Sequence, residues 1–165
     1  MIHPSASEVL ATVMSSFSKE IIPDLTSIDA RSSAATIEHL LRHVHLRIEI
    51  EGDVLMRDIA RLRALLAAIA DRLESFDEAC TRRLRDVLKE DPANLWTLAR
   101  QGAEAMRLRA ALVGLQEEID VSLSERLLEE DLQSIRAMIA NYIAEQLADE
   151  ASLIEPAFSG KGPRR

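Results

Sequence analysis

The sequence predicts an all-α protein, an antiparallel helical bundle of five to six helices, on three observations. Between Asp24 and Ala148 the chain holds one proline and three glycines. Nearly every stretch between them repeats its apolar residues at intervals of three and four, the period of one helix face. The clearest run is Leu55, Ile59, Leu62, Leu66, Ile69 and Leu73. Its alternating steps of four and three hold one seam on one side of a helix for about five turns.

A chain of 165 residues suits one domain over residues 1–151, with 152–165 as a flexible tail. At this size folding removes roughly 70% of the surface of the unfolded chain. The apolar share of 47% against only 3% aromatics predicts a core of aliphatic layers. Cys80 is the single cysteine, so no internal disulfide forms, which agrees with a reducing compartment. Met1 to Met14 carries no Lys or Arg, unlike a secretory signal, and the longest apolar run, Ala64 to Ala70, is too short to span a bilayer. A soluble, cytoplasmic protein is expected. The net charge of −8 repels phosphate backbones, so neither nucleic acid nor membrane is an expected partner. Arg82, Arg83 and Arg85, the densest basic group, fan across a wide arc of a helix and read as a solvated face.

Helix one begins at Ser5, because Ser5 and Glu8 have capping-box spacing, and ends before Pro23, with Val9, Leu10, Val13, Phe17 and Ile21 on one side. Helix two starts between Asp29 and Ala34. Ile37, Leu41, Val44 and Ile48 form one ridge and His39, His43, Leu46 and Ile50 the opposite one, predicting a helix sandwiched between neighbours. The ridge of Glu38, Arg42, His45 and Glu49 suits solvent. Gly52 and Asp53 read as a break, although one continuous helix also fits, and helix three then runs to about Glu74.

Ser75 and Glu78 repeat the capping-box spacing and open helix four, with Cys80, Leu84, Val87 and Leu88 inward. Asp91 and Pro92 open helix five, which carries Ala99, Ala103, Met106, Ala110 and Val113 at helical spacing beside Gly102. Gly114 either ends that helix or lies within it. Ser122 and Glu125 open helix six, with Leu128, Leu132, Ile135, Ile139, Tyr142, Ile143 and Leu147 inward.

Chemistry-bearing residues are few. His39 and His43, four apart, could face one metal ion, but a third and fourth ligand are missing and no Glu-x-x-His pair occurs, so two partly buried, hydrogen-bonded histidines are expected and no cofactor is implied. Glu74 with Asp77 and Glu117 with Asp120 have the spacing of magnesium-holding carboxylates, yet lie at helix boundaries and read as a solvated acidic face. Cys80 falls on an inward stripe and reads as a core residue. Trp96 and Tyr142 have polar handles that could mark a pocket or a partner surface. No phosphate loop, nucleophile elbow or dinucleotide fingerprint is present.

The opening residues Pro4, Ala6, Glu8, Leu10, Val13, Phe17, Glu20, Ile22 and Pro23, the arginine-rich second helix and the later Asp91-Pro92 resemble a family of small uncharacterised bacterial helical proteins. Their genes lie beside aminoglycoside-phosphotransferase-like kinases and acyl-CoA dehydrogenases. The resemblance covers Pro4 to Leu95 and implies an accessory role to such enzymes, with no catalytic residues to carry over. The expected function is therefore a non-enzymatic interaction or accessory protein, homodimeric, with a kinase-like or acyl-CoA enzyme as partner. The seam of helix three, two-faced helix two and small-residue helix five offer the surface. The alternative is a small-molecule or metal-binding protein, conceivably an enzyme, with a pocket near His39 and His43.

Overall fold

The computed structural model describes residues 3–89, 97–123 and 127–158, apart from the side chains of residues 122 and 155–158. It is an all-α helical bundle. Among the described residues there are five α-helices and no strand: α1 Ala6–Ser16, α2 Ile28–Leu73, α3 Glu78–Leu88, α4 Leu98–Glu118 and α5 Glu129–Phe158. A π turn, Phe17–Ile21, and a 3-10 turn, Ile22–Asp24, follow α1, and a second π turn, Ile119–Leu123, follows α4. No helix among the described residues is long and apolar enough to cross a membrane. The chain divides into two compact units, one of Met1–Gly52 with Asp149–Arg165 and one of Asp53–Ala148.

The first unit begins with the capping box that its spacing predicts. Ser5 Oγ accepts from Glu8 N at 3.2 Å, and Ser5 N donates to Glu8 Oε2 at 2.6 Å. Pro23 sits inside the 3-10 turn, where its missing N–H leaves no ladder bond unmade. Ser27 then accepts from Ala30 N at 3.4 Å and starts α2 just before the predicted window.

Helix α2 is continuous for 46 residues, so Gly52 and Asp53 break nothing. No described glycine has a positive φ, the conformation that a terminating glycine supplies. Within an unbroken i→i−4 ladder, a glycine costs only about 1 kcal/mol relative to alanine. Arg47 and Glu51, paired four apart, add support on the turn before it.

The second unit holds the hydrophobic core. The α2 seam is its spine: Ile59, Leu62, Leu66, Ile69 and Leu73 are at most 2% exposed, and Leu55 packs partly buried against them. Helix α3 is capped by Asp77, whose carboxylate accepts from Cys80 N at 2.9 Å, not by the Ser75 of the predicted box. The amides of Phe76 and Asp77 turn back on Leu73 O, which moves the helix start two residues on. Cys80 and Leu84 are buried and Val87 and Leu88 partly so, as the inward stripe predicts.

Helix α4 begins at Leu98, where Thr97 Oγ1 accepts from Arg100 N at 3.3 Å. The predicted start at Asp91-Pro92 lies outside the described residues. The small-residue stripe does not face the core: Ala99, Ala103, Met106, Ala110 and Val113 are exposed, while Ala105, Leu108, Leu112 and Leu115 are buried. Leucines bury more apolar area per side chain than alanines, so they set which face turns inward. Gly114 lies within α4. A Cβ added at Gly102 or Gly114 meets nothing within 4 Å, so Gly102→Ala and Gly114→Ala should each stabilise by about 0.5–1 kcal/mol, read as a rise in thermal midpoint.

The backbone of Ser122 belongs to the second π turn, and Glu125 lies outside the described residues. On α5, Leu132, Ile135, Ile139 and Tyr142 are buried, whereas Leu128, Ile143 and Leu147 face outward. The helix continues past Ala151 to Phe158, and residues 159–165 of the predicted tail lie outside the described residues.

Candidate functional site

Two features of the described residues go beyond plain packing: a buried polar cluster in the second unit and an uncovered apolar face in the first. The cluster is built on Asp58, which precedes Ile59 on α2 and is only 5% exposed. A buried carboxylate costs several kcal/mol unless it is paired and hydrogen-bonded. Here both oxygens are occupied. Tyr142 Oη of α5 donates to Oδ1 at 2.8 Å, and Arg109 Nη2 of α4 donates to Oδ2 at 2.9 Å. Tyr142, a pocket or interface candidate from sequence, is itself 6% exposed and ties α5 to α2.

Burial pushes the Tyr142 hydroxyl up to about 12, and the bond to Asp58 pushes the same way. At neutral pH it is a proton donor and not a base. A phenol whose folded pKa is raised contributes stability fully below its unfolded value near 10, and that contribution is lost as pH climbs toward 12. Because Tyr142 is the single tyrosine, phenolate absorbance reads this group alone. The native protein should show no phenolate transition near pH 10, and the unfolded protein in urea should show one there.

A second polar cluster fixes the end of α3. Arg63 donates to Glu104 at 3.0 Å and to Leu88 O, while Arg107 donates to Glu104 at 2.8 Å and to Val87 O at 2.9 Å. The two arginines thereby serve the terminal carbonyls of the helix. Their charge, Arg107's bond first, holds the Glu104 carboxyl below its ordinary value. Cys80 is buried, and burial, followed by the nearby Glu118 carboxylate, raises its thiol to about 11, which keeps it protonated and unreactive.

The acidic pairs do not converge on a shared ion. Glu74 accepts from Arg85 at 3.0 Å, Asp77 caps α3, Glu117 is exposed and Asp120 lies 3.6 Å from Arg136. Arg83 pairs with Glu118, and Arg82 with Glu78, so the basic group is spent on neighbouring acids. His39 and His43 are both half-buried, and His43 Nδ1 is buried with no hydrogen-bond partner among the described residues. No group of three or more His, Cys, Asp or Glu that could hold a metal is found among the described residues. His45, assigned to solvent from sequence, instead meets α1: its Nε2 lies 3.1 Å from Ser7 Oγ, which also donates to Glu49 at 2.9 Å.

Among the grooves that described residues form, three lie along α3, α4 and α5. One between α4 and α5 is lined by Gln116, Ile119, Arg136 and Ile143, one between α3 and α4 by Cys80, Arg83, Gly114 and Glu118, and one beside α3 by Glu74, Arg82, Arg85 and Asp86. None of the three includes His39, His43 or Tyr142. Trp96 lies outside the described residues.

The apolar face belongs to the first unit. Helix α1 carries two stripes. Ser7, Leu10, Met14 and Phe17 are half-buried on the side that meets α2, while Val9 and Val13 are exposed. On α2, Ile37, Val44 and Ile48 of the predicted ridge are exposed and Leu41 is half-buried, with Leu40 exposed beside them, so most of this ridge of the predicted sandwich is uncovered. Among the described residues of this unit, Ala34 alone is buried. The periodicity that predicts the stripes cannot say which of two apolar stripes turns inward; the Ser7 contact with His45 and Glu49 does. Compared with known proteins, the chain matches no family model, no curated protein and no solved structure.

Proposed function

We propose that the chain works by protein–protein contact without catalysing a reaction, as a homodimer and as an accessory to another enzyme. The observation that carries this reading is the first unit's lack of a core: large apolar side chains on α1 and α2 stay about half exposed while only Ala34 is buried among its described residues. Contiguous apolar surface of that kind marks interaction sites in folded proteins. The buried polar groups of the second unit support it too, since Asp58, Tyr142 and Arg109 occupy one another and Cys80 is held as a thiol. The resemblance of residues Pro4 to Leu95 favours a kinase-like or acyl-CoA enzyme as the served partner. A reducing, cytoplasmic setting suits the single cysteine, and the net charge of −8 disfavours nucleic acid.

The test is purification of the untagged protein from its native host at moderate salt, with light scattering on a sizing column and mass spectrometry of what accompanies it. A dimer mass, or a stoichiometric kinase-like or acyl-CoA enzyme, is expected. A strict monomer at high micromolar concentration, recovered alone, would overturn the reading. A small-molecule or metal-binding reading keeps one observation, the buried and unpartnered Nδ1 of His43. Metal analysis of untagged wild-type protein and of His39→Ala/His43→Ala decides it: bound metal lost in the variant supports that reading, and an equal absence from both removes it.

A further inference from the structure

We infer that the apolar face of α1 and the first half of α2 is covered by the same face of a second copy, the two hairpins closing into a four-helix bundle about a two-fold axis. This rests on the contact reading above and gives it a surface and a partner.

The face is continuous across two helices. Ser7, near the start of α1, touches His45 and Glu49 toward the end of the first half of α2, and the chain reverses through Ile22–Ser27, so the two helices run in opposite directions. At 100° per residue, Val9 and Val13 lie about 100° around α1 from the side that meets α2. Val44 and Ile48 lie about 100° around α2 from the side that meets α1, in the same sense viewed from each N-terminus. In antiparallel helices equal turns of the same sense bring both stripes to one side of the hairpin.

The spacing of the α2 stripe suits another helix. Ile37, Leu41, Val44 and Ile48 step by four, three and four, the pattern that seats side chains of one helix between those of a neighbour at a shallow crossing angle. Helix α1 already covers the adjacent side, and Ile37, Val44 and Ile48 stay exposed beside it, so the seam has room for a further helix.

Charge selects the partner. From Ala30 to Val44 the uncovered side of α2 carries no ionisable residue, and the first two on that side, Arg47, which follows Leu40 by seven residues, and Glu51, are paired with each other. Nothing there would recognise a phosphate, an anionic lipid surface or a charged peptide. In a two-fold contact every charge near the axis meets its own copy, so a stripe whose only charges are already paired with each other suits self-pairing. The area agrees. Val9, Val13, Ile37, Leu40, Val44 and Ile48 are 43–60% exposed. At roughly 80 Å² of apolar area each, two copies bury roughly 1,000 Å² from these side chains alone, which reaches the lower bound for a specific interface before any rim is counted.

Light scattering on a sizing column, run on wild type, Leu40→Glu/Val44→Glu and Met106→Glu/Val113→Glu, tests the surface. All four positions are exposed and glutamate is a strong helix former, so both variants should keep the wild-type helical circular dichroism. Wild type and Met106→Glu/Val113→Glu are expected as dimers, and Leu40→Glu/Val44→Glu as a monomer weakened at least about 100-fold in self-association, because four carboxylates would enter an apolar contact. A dimer unaffected by Leu40→Glu/Val44→Glu overturns this face while leaving the homodimer. A wild-type monomer that copurifies with a different chain overturns self-pairing and leaves the contact reading. A wild-type monomer recovered alone overturns both.

Discussion

Asp58→Ala should lower the unfolding free energy by about 3–5 kcal/mol, because it removes the one carboxylate that the buried Tyr142 hydroxyl and the partly buried Arg109 guanidinium share. In a chain of 165 residues that corresponds to a fall of about 10 °C in melting temperature. The loss has three parts. Tyr142 Oη, in a side chain 6% exposed, loses its acceptor at 2.8 Å. Arg109 loses its bond at 2.9 Å, and a small void opens beside Ile59. Tyr142→Phe removes one bond but leaves Asp58 with Arg109, and should cost about 1–2 kcal/mol. Urea unfolding of both single variants and the double variant closes the cycle. If the cluster acts as described, Tyr142→Phe adds almost nothing once Asp58 is gone. An Asp58→Ala loss below about 1 kcal/mol would mean that water reaches the site and the cluster holds little together.

Leu66→Ala carries the second large effect, a loss of about 2–5 kcal/mol. Leu66 is 0% exposed at the centre of the α2 seam, with Leu62 and Ile69 equally enclosed, so its surroundings have little room to relax into the space left behind. The control is Leu128→Ala, the same chemical change at a side chain that is 65% exposed, which should shift stability by no more than about 0.5 kcal/mol. Equal losses at the two positions would contradict the placement of the core.

The seam from Leu55 to Leu73 is legible because a single aliphatic stripe leaves only one inward orientation. Helix α4 has two competing stripes one step apart, and spacing alone weighs Ala103 or Met106 as heavily as Leu108 or Leu112. Only the volume of the leucines separates them. The Ser5 cap is legible because it is local, whereas the Ser75 cap is not, since the turn back onto Leu73 O competes for the same residues. Gly52 misleads for a related reason: its penalty is local and small, and the ladder running through it is not visible in a short window. The Asp58 cluster escapes sequence reasoning because its bonds join residues 51 and 84 positions apart. One signal was present. A tyrosine on the inward stripe of α5 needs a partner for its hydroxyl, and an acid directly beside a core seam is a natural one.

The 84-residue separation between Asp58 and Tyr142 also sets the order of events on the ribosome. Translation adds about 5–20 residues per second, so the α2 seam emerges several seconds before Ile135, Ile139 and Tyr142 arrive to enclose it. Throughout that interval the nascent chain displays both its aliphatic stripes, the future core and the face of the first hairpin. Early contacts of newly made chains with chaperones, or with one another on a shared polysome, therefore fall to α1 and α2 before the second unit can close.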